Sequence, residues 1–501
     1  MKLAKILFVN PIIRQNESPS HIPYGMAQLV AIAIREGHMV QVFDANAWRP
    51  SEEETLQVLS ADTWGVIAVG GLITTYGFIK KFVKLAREKS PDALIVAGGG
   101  FITPIPYDVM AFLPEIDVGI IGEAYMTLPE ILKNVDEKNN DLKHIKGIIF
   151  RDEKGQLFLT EERPLLDDVD SLPYPAWEMF PLDIYFKNSG LLLSEEAMLA
   201  KRHIGIIASY GCPYRCKFCF HLGLSGELKI VEKGGKKDVE ITQHRKIRHH
   251  SPTYIVGLVK YAKDRFGVDF VSILDENFAV LARKSDWFEE FYDLWVKSGL
   301  QPRCIREGKR HDQVSCRGIH WGTTAHAAVV NDDLLTRFKE LGCAHLDYGL
   351  ESFSDSILKS IGKGSTSKLN EKAIAVTMNA GIRPIPNQII GFPEESFETI
   401  RTNIKAWDKL GIQVYPFFAT PYPGCEWYYD YKDKILSQYD ENLEAFLLDL
   451  GDATKITAVI SEKFNAVELL GLRELMVNRD LKRINEYELI WNENRHVKNV
   501  K

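Results

Sequence analysis

Short apolar runs alternate with helical segments twice along this chain, over residues 1–135 and again over residues 204–419. In the first series, residues 24–36 carry apolar side chains at helical spacing, and Gly37 follows them as a stop. Such alternation predicts a parallel sheet that is covered by helices on both faces. Five strands at this spacing predict a flavodoxin-like doubly wound domain. The predicted strands are residues 5–10, 39–43, 65–69, 93–97 and 118–121.

The second series predicts six strands, at residues 204–209, 270–274, 318–325, 345–349, 385–390 and 414–419. Six strand–helix units predict a partial (β/α)6 barrel rather than a complete eight-stranded one. Between the two series we expect a hairpin around Gly155 and then an extended, proline-rich linker. Because residues 430–501 are charged and have helical patterns, they predict a separate helical tail. The α/β chain is thus divided into a doubly wound domain at 1–140, a hairpin and linker at 141–200, a barrel at 201–425 and a helical C-terminal region at 426–501.

Charge and apolar content exclude several classes of partner. The 501 residues carry a formal net charge of −7, which gives no indication of nucleic-acid binding. No run of about 18 apolar residues occurs, so we expect no transmembrane helix. The first apolar stretch runs directly into Asn10 and Pro11 without a cleavage site, so it does not have the pattern of a signal peptide. The seven cysteines are an odd number, which is typical of a reducing compartment rather than of a disulfide framework. We therefore expect a cytoplasmic protein that contacts neither membrane nor nucleic acid.

A cysteine motif is the most informative stretch of the sequence. Cys212, Cys216 and Cys219 have the spacing CxxxCxxC in a loop that follows a predicted strand. Thiolates are the usual ligands of iron–sulfur clusters, and a [4Fe–4S] cluster with only three protein ligands keeps one iron open. A structural zinc site is one alternative, although such sites usually have paired CxxC halves and four ligands. Unrelated buried cysteines are the other alternative.

Segments at the ends of the predicted barrel strands resemble the radical S-adenosylmethionine (SAM) superfamily. The matching segments are residues 274–278, 348–352, 388–396 and 421–424, in addition to the cysteine motif. The resemblance covers the whole barrel and implies a catalytic [4Fe–4S] cluster that is bound by the three cysteines and binds SAM at its open iron. It also implies that SAM is contacted by Phe218, Glu276, Asn277, Glu351, Ile390 and Gly391.

Glycine-rich loops follow the strands of the predicted first domain. Ligands bind doubly wound sheets beyond the carboxyl ends of the strands, and glycines let the backbone approach a large ligand closely. The loops resemble the cobalamin-binding domain that precedes the barrel in class B radical SAM enzymes. This resemblance implies that cobalamin is bound by Asn10, Pro11, Tyr24, Gly25, Leu72, Thr74, Thr75, Gly98, Gly99, Gly100, Phe101, Gly122 and Glu123. The alternative is a domain that keeps this fold and binds no corrin.

The first domain departs from the classical cobalamin pattern in one respect. The motif DxHxxG, which supplies an axial histidine, is absent from the sequence. His38 is expected to be structural at the edge of a strand, and His21 is expected on the surface of the first loop. We therefore expect base-off cobalamin without a protein histidine below the cobalt.

Two inserted stretches carry weaker signals. Residues 225–250 are basic, which is typical of a solvated face, and a substrate-docking flap is the alternative. Cys304 and Cys316 lie in a second insertion and are expected to be free thiols, with a further metal site as the alternative. Cys343 is expected to be structural, and Cys425 stands where the family usually has threonine.

The resemblance implies a cobalamin-dependent radical SAM C-methyltransferase. In such an enzyme a 5′-deoxyadenosyl radical removes a hydrogen atom from an unactivated carbon, and this carbon then takes a methyl group from methylcobalamin. The substrate is expected to be a peptide, a protein or a small molecule, and ferredoxin or flavodoxin would be a suitable reductant. The chain length, short tail and basic insertion resemble the enzymes that C-methylate a glutamine of methyl-coenzyme M reductase. The alternatives are a natural-product methylase and a cobalamin-dependent radical SAM cyclase or ring-contracting enzyme.

Overall fold

The structure is a computed structural model that describes residues 3–188, 193–220, 228–233, 236–241, 247–283, 285–309 and 317–499. Within these ranges, no helix is both long and apolar enough to cross a membrane. The chain forms a parallel sheet with helices on both faces, a second parallel sheet that forms a partial barrel, and C-terminal helices that contact both.

The first sheet begins with five parallel strands in the order β2-β1-β3-β4-β5, which confirms the predicted flavodoxin-like topology. Its register places Asn10 opposite Asp44 and Gly70 opposite Gly98, so the carboxyl ends of neighbouring strands lie level with each other. The strands are β1 (Lys5–Asn10), β2 (Met39–Asp44), β3 (Val66–Gly70), β4 (Leu94–Gly98) and β5 (Val118–Ile120).

Helices cover both faces of this sheet because its strands are apolar on both sides. Alternate residues along a strand belong to different cores: Phe8 packs with Val30 and Leu128 on one face, whereas Leu7 packs with Phe82 on the other. The helices are Tyr24–Arg35, Ala45–Trp48, Glu52–Ser60, Tyr76–Lys89, Pro106–Phe112 and Thr127–Glu137, with short 3₁₀ turns at Ile73–Thr75 and Gly99–Phe101.

The predicted hairpin extends the first sheet. Strand β6 (Ile148–Arg151) pairs antiparallel with β5, and β7 (Leu157–Leu159) pairs antiparallel with β6. The sheet therefore has seven strands and continues beyond residue 140, the boundary that the sequence suggested. The linker that follows contains 3₁₀ turns at Val169–Ser171 and Trp177–Met179, and the helices Leu182–Lys187 and Glu195–Leu199.

The second sheet has six parallel strands in the order β8-β13-β14-β15-β16-β17, which confirms the partial barrel. The sixth strand is shorter than predicted because Pro416 has no N–H group to donate to its neighbour. The strands from here on are β8 (His203–Ile206), β9 (Ser209–Tyr210), β10 (Leu228–Lys233), β11 (Lys236–Ile241), β12 (Arg248–His249), β13 (Phe270–Ile273), β14 (His320–Ala325), β15 (Cys343–Glu351), β16 (Arg383–Ile390) and β17 (Phe417–Phe418). Strands β9 and β12 form one small antiparallel pair, and β10 and β11 form another.

The barrel strands are separated by helices that pack on the outer face of the sheet. Side chains such as Leu346 and Tyr348 of β15 are fully buried between strand and helices. The helices are Pro252–Phe266, Phe278–Ala282, Ser285–Lys297, Arg303–Arg306, Asp332–Glu340, Asp355–Ser360, Ser367–Asn379 and Phe397–Leu410.

The C-terminal helices are not a separate tail, contrary to what their charged sequence indicated. Glu444 accepts hydrogen bonds from Tyr76 and Lys80 of the first domain. Arg401 of the barrel is paired with Glu488. These contacts attach the region to both domains through side chains whose pairing is not apparent from sequence. The helices are Glu426–Asp430, Lys432–Leu436, Leu443–Asp449, Ala466–Val477 and Leu481–Asn499, with a 3₁₀ turn at Ser437–Tyr439.

A buried ion pair joins the first domain to the barrel. The two terminal nitrogens of the Arg248 guanidinium group, in β12, contact the carboxylate of Glu123 in the loop after β5. Arg248 also donates a hydrogen bond to the Leu166 carbonyl at 2.8 Å and lies over the ring of Tyr210. Since the two charged side chains are only 3% and 12% exposed, the pair fixes the first domain against the strand that leads into the cysteine loop.

Replacing Arg248 with Ala should destabilise the fold strongly, because the Glu123 carboxylate would stay buried without its partner. We expect a loss of roughly 3–5 kcal/mol in the apparent free energy of unfolding, measured by urea denaturation and circular dichroism. Lys260→Ala is the matched control: it breaks the exposed pair with Asp264 and should cost less than about 1 kcal/mol. Equal effects of the two substitutions would contradict the structural role of the Arg248 pair.

Candidate active site

A cavity of about 530 Å³ lies where the carboxyl ends of the two parallel sheets face each other. The first domain supplies most of its lining through the ends of β1, β3, β4 and β5. The barrel closes the other side with Ile207, Ser209, Tyr210, Leu274 and Glu276. Both doubly wound sheets and barrels bind ligands at these strand ends, so the cavity is a site that two domains share.

Glycines at the strand ends let the backbone itself form the cavity wall. A Cβ at Gly70 would lie 2.8 Å from the Gly98 carbonyl oxygen, so β3 and β4 approach each other too closely there for a side chain. Gly99 has φ +80°, and a Cβ there would lie 2.9 Å from the Gly71 oxygen. At Gly98, by contrast, the nearest heavy atom to a Cβ would be Ile120 Cβ at 3.8 Å. A flat ligand can therefore lie against bare backbone at Gly98.

The cavity continues as an apolar slot between the sheet and the helices Tyr24–Arg35 and Thr127–Glu137. Its walls are formed by Phe8, Met26, Leu29, Ala68, Val96, Ile120 and Leu128. Small side chains in the middle strands leave this slot open, and apolar walls favour an aromatic group over water. A corrin with its nucleotide tail detached from the metal fits a lining that combines bare glycine backbone with apolar side chains.

Asn10 is held in the cavity wall by a buried network. Its side-chain nitrogen donates hydrogen bonds to Asp44 Oδ1 at 2.7 Å and to the Tyr185 hydroxyl oxygen at 3.3 Å. Tyr185 donates in turn to Asp44 Oδ2 at 2.7 Å. Burial raises the pKa of Asp44, although these hydrogen bonds act in the opposite direction. The network orients the Asn10 amide at the edge of the cavity.

Most of the predicted cobalamin residues border this cavity. They are Asn10, Pro11, Gly25, Leu72, Thr75, Gly98, Gly99, Gly100, Gly122 and Glu123. Tyr24 and Phe101 are instead buried beside it, and Thr74 lines an adjoining cavity of about 240 Å³. The barrel residues Ser209, Tyr210 and Leu274 were missed, since nothing in the sequence indicated which strand ends of the barrel face the first domain.

Among the described residues that line the cavity, neither His21 nor His38 is present. His38 is almost buried, with Nδ1 3.3 Å from the Ala4 carbonyl oxygen and Nε2 3.7 Å from Asp136. His21 packs its ring against His203 at the amino end of β8. The two side chains therefore contribute to packing at other places in the fold.

The cysteine loop is held on two sides by backbone hydrogen bonds. Lys217 N donates to the Ile361 carbonyl at 3.0 Å, and the Lys217 carbonyl accepts from Trp427 N at 3.3 Å. Gly362 is required at the first contact, since a Cβ there would lie 2.9 Å from the Arg215 oxygen. These contacts fix the loop between the turn after β15 and the helix after β17.

The three cysteines of the motif are present as thiols and are not joined in disulfides. Cys216 is buried, and Cys212 and Cys219 are half-buried. No group of three or more His, Cys, Asp or Glu side chains in the described ranges is placed to bind a single metal ion. In a cubane each cysteine binds a different iron, so the thiols need not converge on one point. Three unoxidised thiols on one anchored loop fit such a cluster better than a zinc ion.

A buried ion pair lies next to this loop. Lys363 Nζ is 2.8 Å from Glu351 Oε1, and both side chains are less than 10% exposed. Burial alone would lower the pKa of Lys363, but Glu351 and the thiolates of Cys216 and Cys219 raise it above its ordinary value. Lys363 Nζ also lies 5.6 Å from the centre of the Phe218 ring. The site thus offers a carboxylate and an ammonium group side by side.

Backbone strain accompanies this pair. Glu351 has φ +62°, which a non-glycine residue adopts only when its surroundings impose it. Gly349 makes the pairing possible, because a Cβ there would lie 2.5 Å from Glu351 Oε1 and 2.9 Å from Lys363 Nζ. Lys363 was missed because a lysine between two glycines in a turn has the pattern of an exposed loop residue.

The other predicted SAM residues lie at neighbouring strand ends. Asn277 Oδ1 accepts a hydrogen bond from His326 N at 3.3 Å, whereas its buried Nδ2 has no hydrogen-bond partner among the residues that the structure describes. Ile390 and Gly391 are held by their backbones: the Ile390 oxygen accepts from Ala419 N at 2.8 Å, and Gly391 N donates to Glu395 at 3.2 Å. Burial raises the pKa of Glu395 to about 7.

Asp275 ties the ends of β8 and β13 together. It accepts hydrogen bonds from Ala208 N at 2.7 Å and from the Ser209 hydroxyl group. Burial raises its pKa to about 7. Through Asp275 the neighbouring side chains of Ser209 and Glu276 are positioned at the cavity, so the predicted SAM residue Glu276 lies on the side of the barrel that faces the first domain.

The remaining cysteines are not part of the cysteine loop, and the basic insertion lies only partly within the described ranges. Cys304 Sγ is 3.3 Å from His320 Nε2, and Cys343 and Cys425 are buried. Cys316 falls outside the described residues. The described part of the insertion forms the β10–β11 hairpin, in which Lys237 lies over the ring of Phe158 in β7.

Two protein-family descriptions match the chain, one for each domain. The B12 binding domain matches residues 14–132, and the radical SAM superfamily matches residues 206–406. The first match spans β2 to β5 of the first sheet, and the second spans the barrel from the end of β8 through β16.

Curated relatives match over most of the chain. An uncharacterized methyltransferase of Pyrococcus horikoshii is 26% identical over 442 residues, which are 87% of this chain and 85% of that protein. The anaerobic magnesium-protoporphyrin IX monomethyl ester cyclase of Synechocystis is 23% identical over 426 residues, 84% of this chain and 74% of that protein.

Solved structures share the arrangement of both domains. The radical SAM methyltransferase TsrM from Kitasatospora setae, solved with tryptophan and a SAM analogue, superposes with a TM-score of 0.62 at 16% identity and covers 84% of this chain. OxsB, solved with aqua-cobalamin and SAM, superposes with a TM-score of 0.64 at 15% identity. The match covers 96% of this chain but only 61% of the OxsB chain.

Replacing Gly98 with Leu should leave the fold intact, because the backbone there is extended and has room for a Cβ. It should prevent corrin binding, because the rest of the leucine side chain would enter the cavity. After reconstitution we expect the bound cobalamin, measured from its visible absorption, to fall at least tenfold. Gly471→Leu is the control, since Gly471 has no heavy atom within 4 Å of its Cβ position. Full cobalamin content in Gly98→Leu would contradict this location of the corrin.

The variants His21→Ala and His38→Ala should bind cob(II)alamin with an unchanged electron paramagnetic resonance spectrum, because neither side chain lines the cavity. The wild-type spectrum should lack the superhyperfine splitting that a nitrogen ligand of cobalt produces. A splitting that is present in the wild type and disappears in either variant would show that a histidine does bind cobalt.

Proposed function

We propose that this chain, in which a B12-binding domain precedes a radical SAM domain, is a cobalamin-dependent radical SAM methyltransferase that methylates an unactivated carbon of its substrate. Such an enzyme requires a reductant and acts on a protein or small-molecule substrate. We propose ferredoxin or flavodoxin as the electron donor.

The shared cavity is the observation that carries this proposal. Its wall combines the bare backbone of Gly98 in the first domain with Ser209, Tyr210 and Glu276 at the strand ends of the barrel. Tyr210 immediately precedes the loop that contains Cys212. Methyl transfer to a substrate carbon requires the methyl donor and the radical source to reach the same carbon, and a cavity with walls from both domains supports this arrangement.

The residues present fit three cofactors. Cys212, Cys216 and Cys219 would hold the [4Fe–4S] cluster, and the glycine loops of the first domain would hold cobalamin. The Glu351–Lys363 pair offers a carboxylate for the amino group of SAM and an ammonium group for its carboxylate. When bound, the cluster and SAM supply a hydrogen-abstracting radical, and cobalamin supplies a methyl group.

The protein's own residues position these groups and exclude water. Arg248 and Glu123 hold the two domains together at the cavity, and Asp275 fixes Ser209 beside it. Packing of Phe218 against Trp427, with ring centres 5.6 Å apart, closes the side of the cysteine loop. A closed site of this kind protects a reactive radical from side reactions.

We further propose a glutamine of methyl-coenzyme M reductase as the methylated residue. The support is the sequence resemblance in chain length, short helical tail and basic insertion. A ring-forming reaction is the second candidate, since the cyclase of Synechocystis is 23% identical over 84% of this chain. Product analysis separates the two, because only methyl transfer consumes SAM as a methyl donor.

The anaerobically reconstituted protein should methylate a peptide that contains this glutamine when SAM and a low-potential reductant are supplied. We expect S-adenosylhomocysteine, 5′-deoxyadenosine and methylated peptide to appear together, measured by liquid chromatography and mass spectrometry. The triple variant with Ala at positions 212, 216 and 219 should lose the cluster and form no 5′-deoxyadenosine. Formation of 5′-deoxyadenosine without S-adenosylhomocysteine, on any substrate, would favour the ring-forming candidate.

A further inference from the structure

The inner face of the partial barrel carries residues that stay partly exposed. In β15, Leu346 and Tyr348 are fully buried against the outer helices, whereas Asp347 and Gly349 alternate with them and are only half-buried. In β16, Asn387 points to the same side as Gly349, its partner in the register, and is half-buried as well, whereas the next residue, Gln388, is buried. The half-buried residues therefore face an open interior, which we call the lumen.

The lumen has a closed floor on the side of the amino ends of the strands. His203 Nε2 and the Ser272 hydroxyl group are 2.7 Å apart, and His345 Nδ1 lies 3.1 Å from the Ser194 hydroxyl group. The ring of Phe270 stacks on His345 with centres 5.6 Å apart. His345 lies across Gly322, where a Cβ would be only 2.0 Å from Nε2. These contacts close the floor.

Asp347 stands directly above this floor. In the register it lies between Thr324 of β14 and Ile385 of β16, and its side chain is 26% exposed. The nearest basic group is His345 Nε2 at 4.0 Å. Throughout the described ranges, no group forms a hydrogen bond with the Asp347 carboxyl. A half-buried acid without such partners is costly unless a ligand completes its hydrogen bonds.

Among the described residues, His345 is the one basic group within 4.0 Å of the Asp347 carboxyl. Burial lowers the pKa of His345 to about 4, so this imidazole is neutral near pH 7. Burial raises the pKa of Asp347 itself to about 7, which gives its protonated form a substantial population. At the same level of the lumen, Asp347 is flanked by the neutral residues Thr324 and Ile385, with apolar Leu274 further along, and none of these compensates a charge.

The lumen is continuous with the cavity between the domains. Leu274 follows β13, and its side chain is 40% exposed although it lies in the interior of the protein. It lines the cavity together with Glu276, the next residue on the same side. A substrate that reaches down to Asp347 would therefore extend upward to the place where the two domains meet.

We propose that the lumen is the substrate pocket and that Asp347 recognises a primary carboxamide of the substrate. A carboxylic acid and a carboxamide form two hydrogen bonds at once: the acid O–H donates to the amide oxygen, and the amide N–H donates to the acid carbonyl. Both groups are neutral, which suits a half-buried position where the described residues place no charged partner within hydrogen-bonding distance of Asp347. The inference deepens the proposed function, on which it rests, by naming the chemical group that the substrate presents.

Small probes test this recognition without depending on the identity of the substrate. Saturation-transfer NMR on the reconstituted holoenzyme would compare isobutyramide, isobutyrate and isobutylamine as ligands. We expect isobutyramide to bind at least tenfold more tightly than the other two. Asp347→Leu should reduce its binding at least tenfold because both hydrogen bonds are lost. Asp347→Asn should keep it within about threefold, because an amide pairs with an amide through the same two hydrogen bonds.

Asp332→Asn is the matched control, since Asp332 is an exposed acid in the first turn of a barrel helix. It should bind isobutyramide as the wild type does, and all variants should contain equal amounts of iron and cobalamin. Unchanged isobutyramide binding in Asp347→Leu, or preferential binding of isobutylamine to the wild type, would overturn the inference.

The glutamine peptide separates this inference from the proposed function. If isobutyramide binds through Asp347 but the peptide is not methylated, the proposed substrate is wrong and the carboxamide pocket stands. If Asp347→Leu methylates the peptide with an unchanged kcat/KM, the pocket assignment is wrong and the proposed function stands.

Discussion

The orientation of two parallel sheets, with their carboxyl ends facing each other, determines where every functional group of this protein can act. The buried pair of Glu123 and Arg248 fixes this orientation, because it joins the last parallel strand end of the first sheet to the segment paired with β9. Each sheet alone would expose its strand ends to solvent. Together they enclose a cavity whose walls belong to both domains, so the binding of one cofactor is linked structurally to the placement of the other.

A second constraint is the concentration of charge near the cysteine loop. Lys363 is buried among groups that carry or gain negative charge, namely Glu351, Cys216 and Cys219. A buried cation in such surroundings compensates the thiolates, which would otherwise repel one another in a region of low dielectric constant. The strained backbone of Glu351 is the structural cost of directing its carboxylate towards this lysine.

The sequence was sufficient to predict the order of the strands, the partial barrel and most of the loops that border the cavity. These features follow from hydrophobic periodicity and from glycine at strand ends, both of which are local properties. Lys363, Asp347 and the packing of the C-terminal helices were not predicted. Each depends on contacts between residues distant in sequence, such as Tyr76 with Glu444, or on which face of a strand points inward. The roles of individual site residues remain predictions that rest on resemblance and geometry.

The apolar slot between the first sheet and its helices has a consequence for the fate of the protein in a cell. Walls such as Phe8, Val96 and Leu128 gain little from contact with water. Cobalamin that occupies the slot therefore adds its binding free energy to the stability of the folded chain, by an amount that rises with the free concentration of the vitamin. A chain whose slot is empty lacks this contribution, so a larger fraction of such chains is unfolded and open to proteolysis.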